Sequence, residues 1–318
     1  MLIRGAGGVT RILLLLLIAK RFGPTDFGRL SLILSLVEIV RVAADFGVDV
    51  VTIRRFSLHR LLSEKLLGNA LALKLISATL GYVASIILYW LLYHNWQGVK
   101  LLGIVGASLY TTLLLNAFVS YFQANLRMSG IVTSSLVSAF AYASLTLFGL
   151  YREWSLVALA VIIPASELIN LVMTAAIYRK SSSLMVRFDR KIILSLLRES
   201  VPAAIGSIAV VLYLRLDNLM VGWFLNEQSV GVYAAAYRYT EPFMLVFTSL
   251  SISVYASLSL RGKKNGAAEA GRNMLRIISA VVGMSSVAAL FLSLFAAQLL
   301  EMISPEYSTA TAVLRILS

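Results

Sequence analysis

Apolar runs of about 20 residues, each bounded by charged or turn-forming residues, recur along the whole chain. A run of that length matches one helical crossing of a bilayer. Charged residues make up only 14% of the 318 residues, against about 25% in soluble globular domains. The sequence therefore predicts an all-α, polytopic membrane protein. We place its spans at about 5–22, 28–51, 75–93, 101–123, 130–151, 154–178, 201–225, 230–260 and 277–300, with a tenth that begins near 308.

The basic residues are distributed unequally between the two sides of the predicted bundle. Seventeen of them fall in loops on one side, and five fall on the other: Lys20, Arg21, Arg29, Lys100 and Arg152. Cytoplasmic loops of membrane proteins carry the excess of lysine and arginine. This rule predicts a multi-pass protein of the cytoplasmic membrane with a cytoplasmic amino terminus. It also explains the net charge of +13 without nucleic acid as a partner.

Cysteine is absent and the only histidines are His59 and His94. The chain therefore has no thiol nucleophile, thiolate metal site or histidine cluster. We expect no catalytic residues, no metal site and no cofactor, and we interpret the protein as a non-enzyme.

A weak internal repeat has a spacing of about 202 residues. Leu73–Ala78 reads against Leu275–Ala280, and Arg11 falls within one residue of the position equivalent to Arg215. Six spans separate the copies, so both halves have the same orientation. The repeat predicts two pseudo-symmetric helix bundles: a six-helix bundle at 1–180, a cytoplasmic linker at 181–200, and an incomplete bundle at 201–318. The second bundle would hold three helices and the start of a fourth, so we expect the chain to lack its last helices.

The second predicted span carries the strongest polar stripe. Residues three or four apart share one face of a helix, and this face holds Ser31, Ser35, Glu38, Arg41, Asp45 and Asp49. Charges inside a membrane are costly and usually face a protein interior or a wet cavity. The stripe predicts such a cavity, although Glu38, Arg41 and Asp45 could also pair along their own helix.

The seventh span carries a polar face formed by Ser207, Arg215, Asn218 and Gly222, and Asp217 belongs to the same span but lies off this face. Two residues turn a helix by about 200°, so Arg215 and Asp217 cannot both face one cavity. We expect one to line the path and the other to bind a neighbouring helix.

The eighth span carries a polar and aromatic face, formed by Tyr233, Tyr237, Glu241, Thr248 and Tyr255. Arg238 is one turn from Glu241 and can pair with it. Alternatively, Arg238 extends toward the outer interface.

Several segments resemble one transporter family. Gly23–Ser31, with the sequence GPTDFGRLS, is similar to the turn after the first span of polysaccharide or O-antigen flippases. Arg215–Gly222 and Val230–Arg238 resemble a second segment of that family, and Ser304–Tyr307 with Ala312–Leu317 resembles a third. The resemblance implies the multidrug/oligosaccharidyl-lipid/polysaccharide exporter fold, in which two bundles enclose a cavity that opens alternately to each side. It also implies transport of polyprenyl-diphosphate-linked oligosaccharides for cell-surface polysaccharide synthesis.

An anionic diphosphate would be held by arginine in a cavity of low dielectric constant. The predicted substrate path therefore contains Arg11, Arg41, Arg215 and Asn218. The predicted charge pairs or coupling sites for H+ or Na+ are Glu38, Asp45, Asp49, Asp217 and Glu241. Two alternatives remain: a cation-coupled multidrug exporter of the same fold, and a membrane-embedded glycan polymerase.

Overall fold

The computed structural model describes residues 2–58, 63–180, 188–243 and 267–318. Every regular element in these ranges is helical, and this confirms the all-α fold class. The elements are α1 (Leu2–Asp45), α2 (Val48–Leu58), α3 (Ser63–Tyr93), α4 (Trp96–Gly106), α5 (Ser108–Ala124), α6 (Ser129–Tyr151), α7 (Leu156–Arg179), α8 (Arg190–Phe224), α9 (227–243), α10 (Ala267–Leu294), α11 (Ala296–Glu301), a 3₁₀ helix (Pro305–Ala310) and α12 (Thr311–Leu317).

Five helical segments of the described chain are long and apolar enough to cross a membrane. They are Glu64–Tyr93, Trp96–Ala124, Ser129–Tyr151, Leu156–Arg179 and Arg190–Phe224. The shortest has 23 residues, which at 1.5 Å per residue gives about 34 Å and exceeds the roughly 30 Å hydrocarbon core. Large side chains such as Leu80, Phe140 and Val172 are exposed on these helices. Lipid, rather than water, is the medium that matches such a surface.

The chain folds into two compact units, one formed by 29–230 and the other by 1–28 with 231–318. The core of the first unit joins α2, α3, α5, α7 and α8 through Phe56, Leu67, Phe118, Tyr178 and Leu196. In the second unit, the Tyr307 hydroxyl donates a 3.1 Å hydrogen bond to the Ala19 carbonyl oxygen. The division into bundles at 1–180 and 201–318 stays a prediction.

The first helix is kinked at the turn that the sequence places between the first two spans. Gly23 has φ 73° there, a left-handed conformation that glycine adopts without steric cost. Pro24 follows and has no N–H to donate to a helical bond. Close packing also constrains Gly231, because a Cβ on it would lie 1.9 Å from the Pro24 carbonyl oxygen.

The prediction of one span over 28–51 is wrong. Phe46 and Gly47 both have positive φ, 51° and 72°, so α1 ends at Asp45 and α2 begins at Val48. The polar stripe is therefore interrupted before Asp49. The physical reason is a tertiary contact, because a Cβ on Gly47 would lie 2.7 Å from the backbone nitrogen of Ala204 in α8.

We expect Gly47→Ala to destabilise the protein by roughly 2 kcal/mol or more, since it adds a clash with backbone to an unfavourable positive φ. The midpoint of thermal unfolding in detergent measures this effect. Gly283→Ala is the matched control, because nothing lies within 4 Å of the position its Cβ would occupy. An unfolding midpoint for Gly47→Ala equal to that of the control would contradict this packing.

Other predicted spans also differ from the observed helices. The span at 101–123 is divided at Ala107 between α4 and α5, and the span at 277–300 is divided at Phe295 between α10 and α11. The predicted start of the third span at 75, which leaves Lys74 in the preceding loop, is wrong, because α3 begins at Ser63 and includes Lys74. The lysine had marked a span boundary only because a charge normally ends an apolar run.

The amino terminus of α8 is fixed to α3 by polar contacts. Asp189 caps α8 by accepting a 3.0 Å hydrogen bond from the Lys191 N–H, and its own N–H donates to the Asn69 side-chain oxygen at 2.6 Å. The Lys65 ammonium lies 3.3 Å from the Asp189 carboxylate. The hydrogen bond from Lys65 lowers the pKa of Asp189 below its usual value, so this contact persists at neutral pH.

Candidate functional site

A cavity of about 390 Å³ lies between α1 and α8, within the size range of ligand sites. Its α8 wall has the three- and four-residue spacing of one helix face. The lining residues are Glu38, Val42, Gly206, Ser207, Val210, Val211, Leu214 and Arg215. The seventh-span arginine and the Glu38 of the polar stripe thus meet at one cavity.

Next to this cavity, Glu38 forms a bidentate ion pair with Arg41 on the same helix. The Arg41 Nη2 lies 2.7 Å from Oε1 of Glu38, and its Nε lies 3.0 Å from Oε2. The pair is one of the two arrangements considered from the sequence. The ionisable groups in the cavity lining are therefore one carboxylate, Glu38, and one guanidinium, Arg215.

Asp217 is not among the residues that line the cavity. Its Oδ1 accepts a 2.7 Å hydrogen bond from the N–H of Asn218, consistent with the turn of about 200° that separates it from Arg215. Asn218 is 3% exposed, and its side-chain oxygen has no hydrogen-bond partner within the part of the chain that is described. Arg215 thus lines the cavity, whereas Asp217 and Asn218 do not.

Asp45 and Asp49 belong to a buried ion network that sequence reasoning missed. Lys74 is 1% exposed, and its ammonium lies 2.5 Å from Asp45 and 2.7 Å from Asp49. Ser120 on α5 donates a 3.2 Å hydrogen bond to Asp49. The network joins α1, α2, α3 and α5 at the break around Gly47. The two carboxylates predicted as coupling sites thus share one buried cation, which offsets one of their two negative charges.

A second network that was not predicted includes Arg29, which follows the kink at Gly23 in α1. The Arg29 Nη2 lies 2.7 Å from the Glu227 carboxylate, and the Asn95 amide donates to the same carboxylate at 2.8 Å. The Asn95 oxygen also caps α4 by accepting from the Gln97 N–H at 3.0 Å. Arg29 and Glu227 are 198 positions apart, so no local pattern indicates their contact.

We expect Glu227→Gln to destabilise the protein by about 1 to 3 kcal/mol, because it removes the charge of a carboxylate that accepts hydrogen bonds from Arg29 and Asn95. Thermal unfolding in detergent measures the change. Glu301→Gln removes an exposed carboxylate and should leave the unfolding midpoint unchanged. Equal midpoints for the two variants would contradict a stabilising role for this network.

The remaining predicted residues lie in the unit formed by 1–28 and 231–318. Arg11 is exposed. Arg238 pairs with Glu241 at 2.6 Å, which matches the pairing alternative, and Arg238 is 9% exposed. Thr248 and Tyr255 lie outside the described residues.

Together, the apolar helices, the internal ion networks and the polar cavity define a polytopic helical membrane protein with a ligand-sized site. Solved structures with this fold include an inward-facing multidrug resistance MATE family transporter of the MOP superfamily, with a TM-score of 0.79 and 14% identity over 97% of this chain and 76% of that one. A MATE in complex with MaD3S gives 0.63 and 15% over 98% and 75%. An outward-facing transporter of the same description gives 0.58 and 16% over 99% and 75%.

The chain belongs to the family of polysaccharide biosynthesis proteins, whose model matches residues 17–306. The family resemblance drawn from the turn motifs is thereby confirmed. No curated protein sequence matches the chain.

Proposed function

We propose that this protein moves polyprenyl-diphosphate-linked oligosaccharides across the cytoplasmic membrane, and that the α1–α8 cavity binds the diphosphate. The single observation that carries the proposal is that Arg215, a residue of the membrane-length helix α8, lines the α1–α8 cavity. Guanidinium binds phosphate oxygens through charge-assisted hydrogen bonds, which are strongest away from water. Membership of the polysaccharide biosynthesis family supports an oligosaccharide as the rest of the substrate.

The polar groups of α1 and α8 are spaced along the proposed substrate path. Arg29, Glu38 and Asp45 follow one another along α1, and the first and last are about 24 Å apart at 1.5 Å per residue. We infer that the Arg29–Glu227 and Lys74–Asp45 contacts border the path and that Glu38 and Arg215 line its middle. Arg11, Arg41 and Asn218 remain proposed contributors.

We assign coupling to H+ or Na+ to the Glu38 carboxylate, because Glu38 lines the cavity in which a bound substrate would change the local charge. A cation at Asp45 and Asp49 would have to displace the Lys74 ammonium, which already contacts both carboxylates. Asp217 and Glu241 stay weaker candidates, since each accepts a hydrogen bond from a residue close in sequence.

A multidrug exporter is the second candidate, favoured by the solved structures of multidrug resistance transporters that share the fold. Such a protein would bind cations, whereas a guanidinium in the cavity wall, that of Arg215, suits an anion. A glycan polymerase is not favoured by any group of side chains around the cavity.

The proposal is tested by expressing the protein in a bacterial strain that lacks its own oligosaccharide flippase. Restored surface glycan is the expected result. Resistance to cationic drugs without surface glycan, at normal protein levels in the membrane, would favour the second candidate and overturn the proposal.

A further inference from the structure

A second cavity, also about 390 Å³, lies between α2 and α8 and is lined by Arg54, Arg55, Leu58 and Glu199. It lies at the end of the 29–230 unit where Phe56, Tyr178 and Leu196 pack together. Basic side chains concentrate at this end: Arg54, Arg55, Lys65, Arg179, Lys180, Arg190, Lys191 and Arg198. None of the cavity's lining residues belongs to the α1–α8 cavity.

Arg55 is held in place by contacts that a ligand could replace. Its guanidinium donates to both carboxylate oxygens of Glu199, at 3.1 and 2.5 Å, and also to the Ser195 hydroxyl. The Glu199 side chain is 51% exposed, and an ion pair with so exposed a partner contributes little to stability. Arg54, the adjacent residue, is exposed beside it. The cavity therefore presents one oriented guanidinium, a second exposed one and a carboxylate that can move into solvent.

The apolar surroundings indicate the kind of anion. Leu58 lines the cavity and is 65% exposed. Basic pockets between membrane helices bind lipid headgroups, whose phosphates lie at the level where the basic helix ends meet the interface. We propose that this cavity binds the phosphate of a membrane lipid through Arg54 and Arg55, with Glu199 as the internal competitor for Arg55.

The proposed ligand is a phosphate ester that carries acyl or prenyl chains. The proposal for this cavity is independent of which substrate the α1–α8 cavity transports. A phospholipid and a polyprenyl phosphate share it. Binding exchanges the Glu199 carboxylate for a phosphate oxygen on Arg55, while Arg54 supplies the second guanidinium. No bond is made or broken in this exchange.

The test uses the whole protein in a neutral detergent, with native mass spectrometry as the readout of bound lipid. Phosphatidylglycerol, polyprenyl phosphate and diacylglycerol are added separately, and inorganic phosphate is added as a competitor. We expect phosphatidylglycerol and polyprenyl phosphate to bind. Diacylglycerol, which has no phosphate, should not bind. Tighter binding of polyprenyl phosphate would identify the carrier lipid as the source, and tighter binding of phosphatidylglycerol would identify the bulk bilayer. Release of both by equimolar inorganic phosphate would overturn a lipid site.

Two substitutions with opposite expected effects keep the test decisive. Arg54→Gln should weaken phosphate-lipid binding about tenfold, because it removes one charge-assisted contact. Glu199→Gln should strengthen it severalfold, because Arg55 loses its competing carboxylate. Lys100→Gln removes an exposed positive charge elsewhere and should change nothing. A misfolded variant cannot bind more tightly, so tighter binding by Glu199→Gln cannot result from misfolding. An unchanged or weaker affinity for Glu199→Gln would overturn the proposal.

Discussion

Arg215→Ala is expected to abolish surface glycan in the complemented strain while the protein remains folded in the membrane. Arg215 lines the α1–α8 cavity, and its guanidinium is the group that we assign to the diphosphate. A hydrogen bond to a charged group contributes about 1.5 to 3 kcal/mol, so the loss of two such bonds lowers affinity roughly 100-fold or more. Surface glycan and the amount of membrane-inserted protein are measured together.

Two variants of the same wall separate charge from packing. Leu214→Ala removes an apolar lining residue and should leave most of the glycan. Arg215→Lys keeps the charge but loses the planar, bidentate geometry of guanidinium, so an intermediate level is expected. Normal glycan with Arg215→Ala at normal expression would remove Arg215 from the substrate path.

Lys74→Met should cause the largest loss of stability in the protein. The ammonium is 1% exposed and contacts two carboxylates, so its removal leaves Asp45 and Asp49 to repel each other in a site with little water. Breaking a buried ion pair by removing one partner costs roughly 3 to 5 kcal/mol. The midpoint of thermal unfolding in detergent and the yield of protein extracted from membranes both report this loss.

The triple variant Lys74→Met, Asp45→Asn, Asp49→Asn is the matched control. It removes the three charges together, and replacing a complete buried network by neutral groups is often nearly neutral for stability. We expect it to recover most of the stability that Lys74→Met loses. An unfolding midpoint for Lys74→Met equal to that of the unmodified protein would show that the network is not a structural one.

The helices could be predicted because an apolar run must form internal hydrogen bonds in lipid whatever its partners are. The kink at Gly23 could also be predicted, since glycine followed by proline ends a helix locally. The break at Gly47 could not, because it depends on contact with Ala204, more than 150 positions along the chain. A single glycine inside a helical pattern does not by itself predict a break.

The charged residues were harder to interpret than the helices. Of the residues in the polar stripe, Glu38 lines the α1–α8 cavity. Helix periodicity places Arg215 and Asp217 on different faces. The partners of Asp45, Asp49 and Glu227 could not be inferred, because Lys74 and Arg29 come from other helices. A charge at the edge of an apolar run has the same local pattern whether it faces water or completes an internal ion pair.

Transport by the purified protein in sealed vesicles measures whether it moves a lipid-linked oligosaccharide across a membrane. Vesicles carry a fluorescent polyprenyl-diphosphate-linked oligosaccharide in one leaflet, and a membrane-impermeant quencher reports its appearance in the other. A parallel set holds a fluorescent hydrophobic cation. We expect movement of the lipid-linked oligosaccharide, its loss in Arg215→Ala, and no movement of the cation. Export of the cation with no movement of the lipid-linked oligosaccharide would contradict the proposed function.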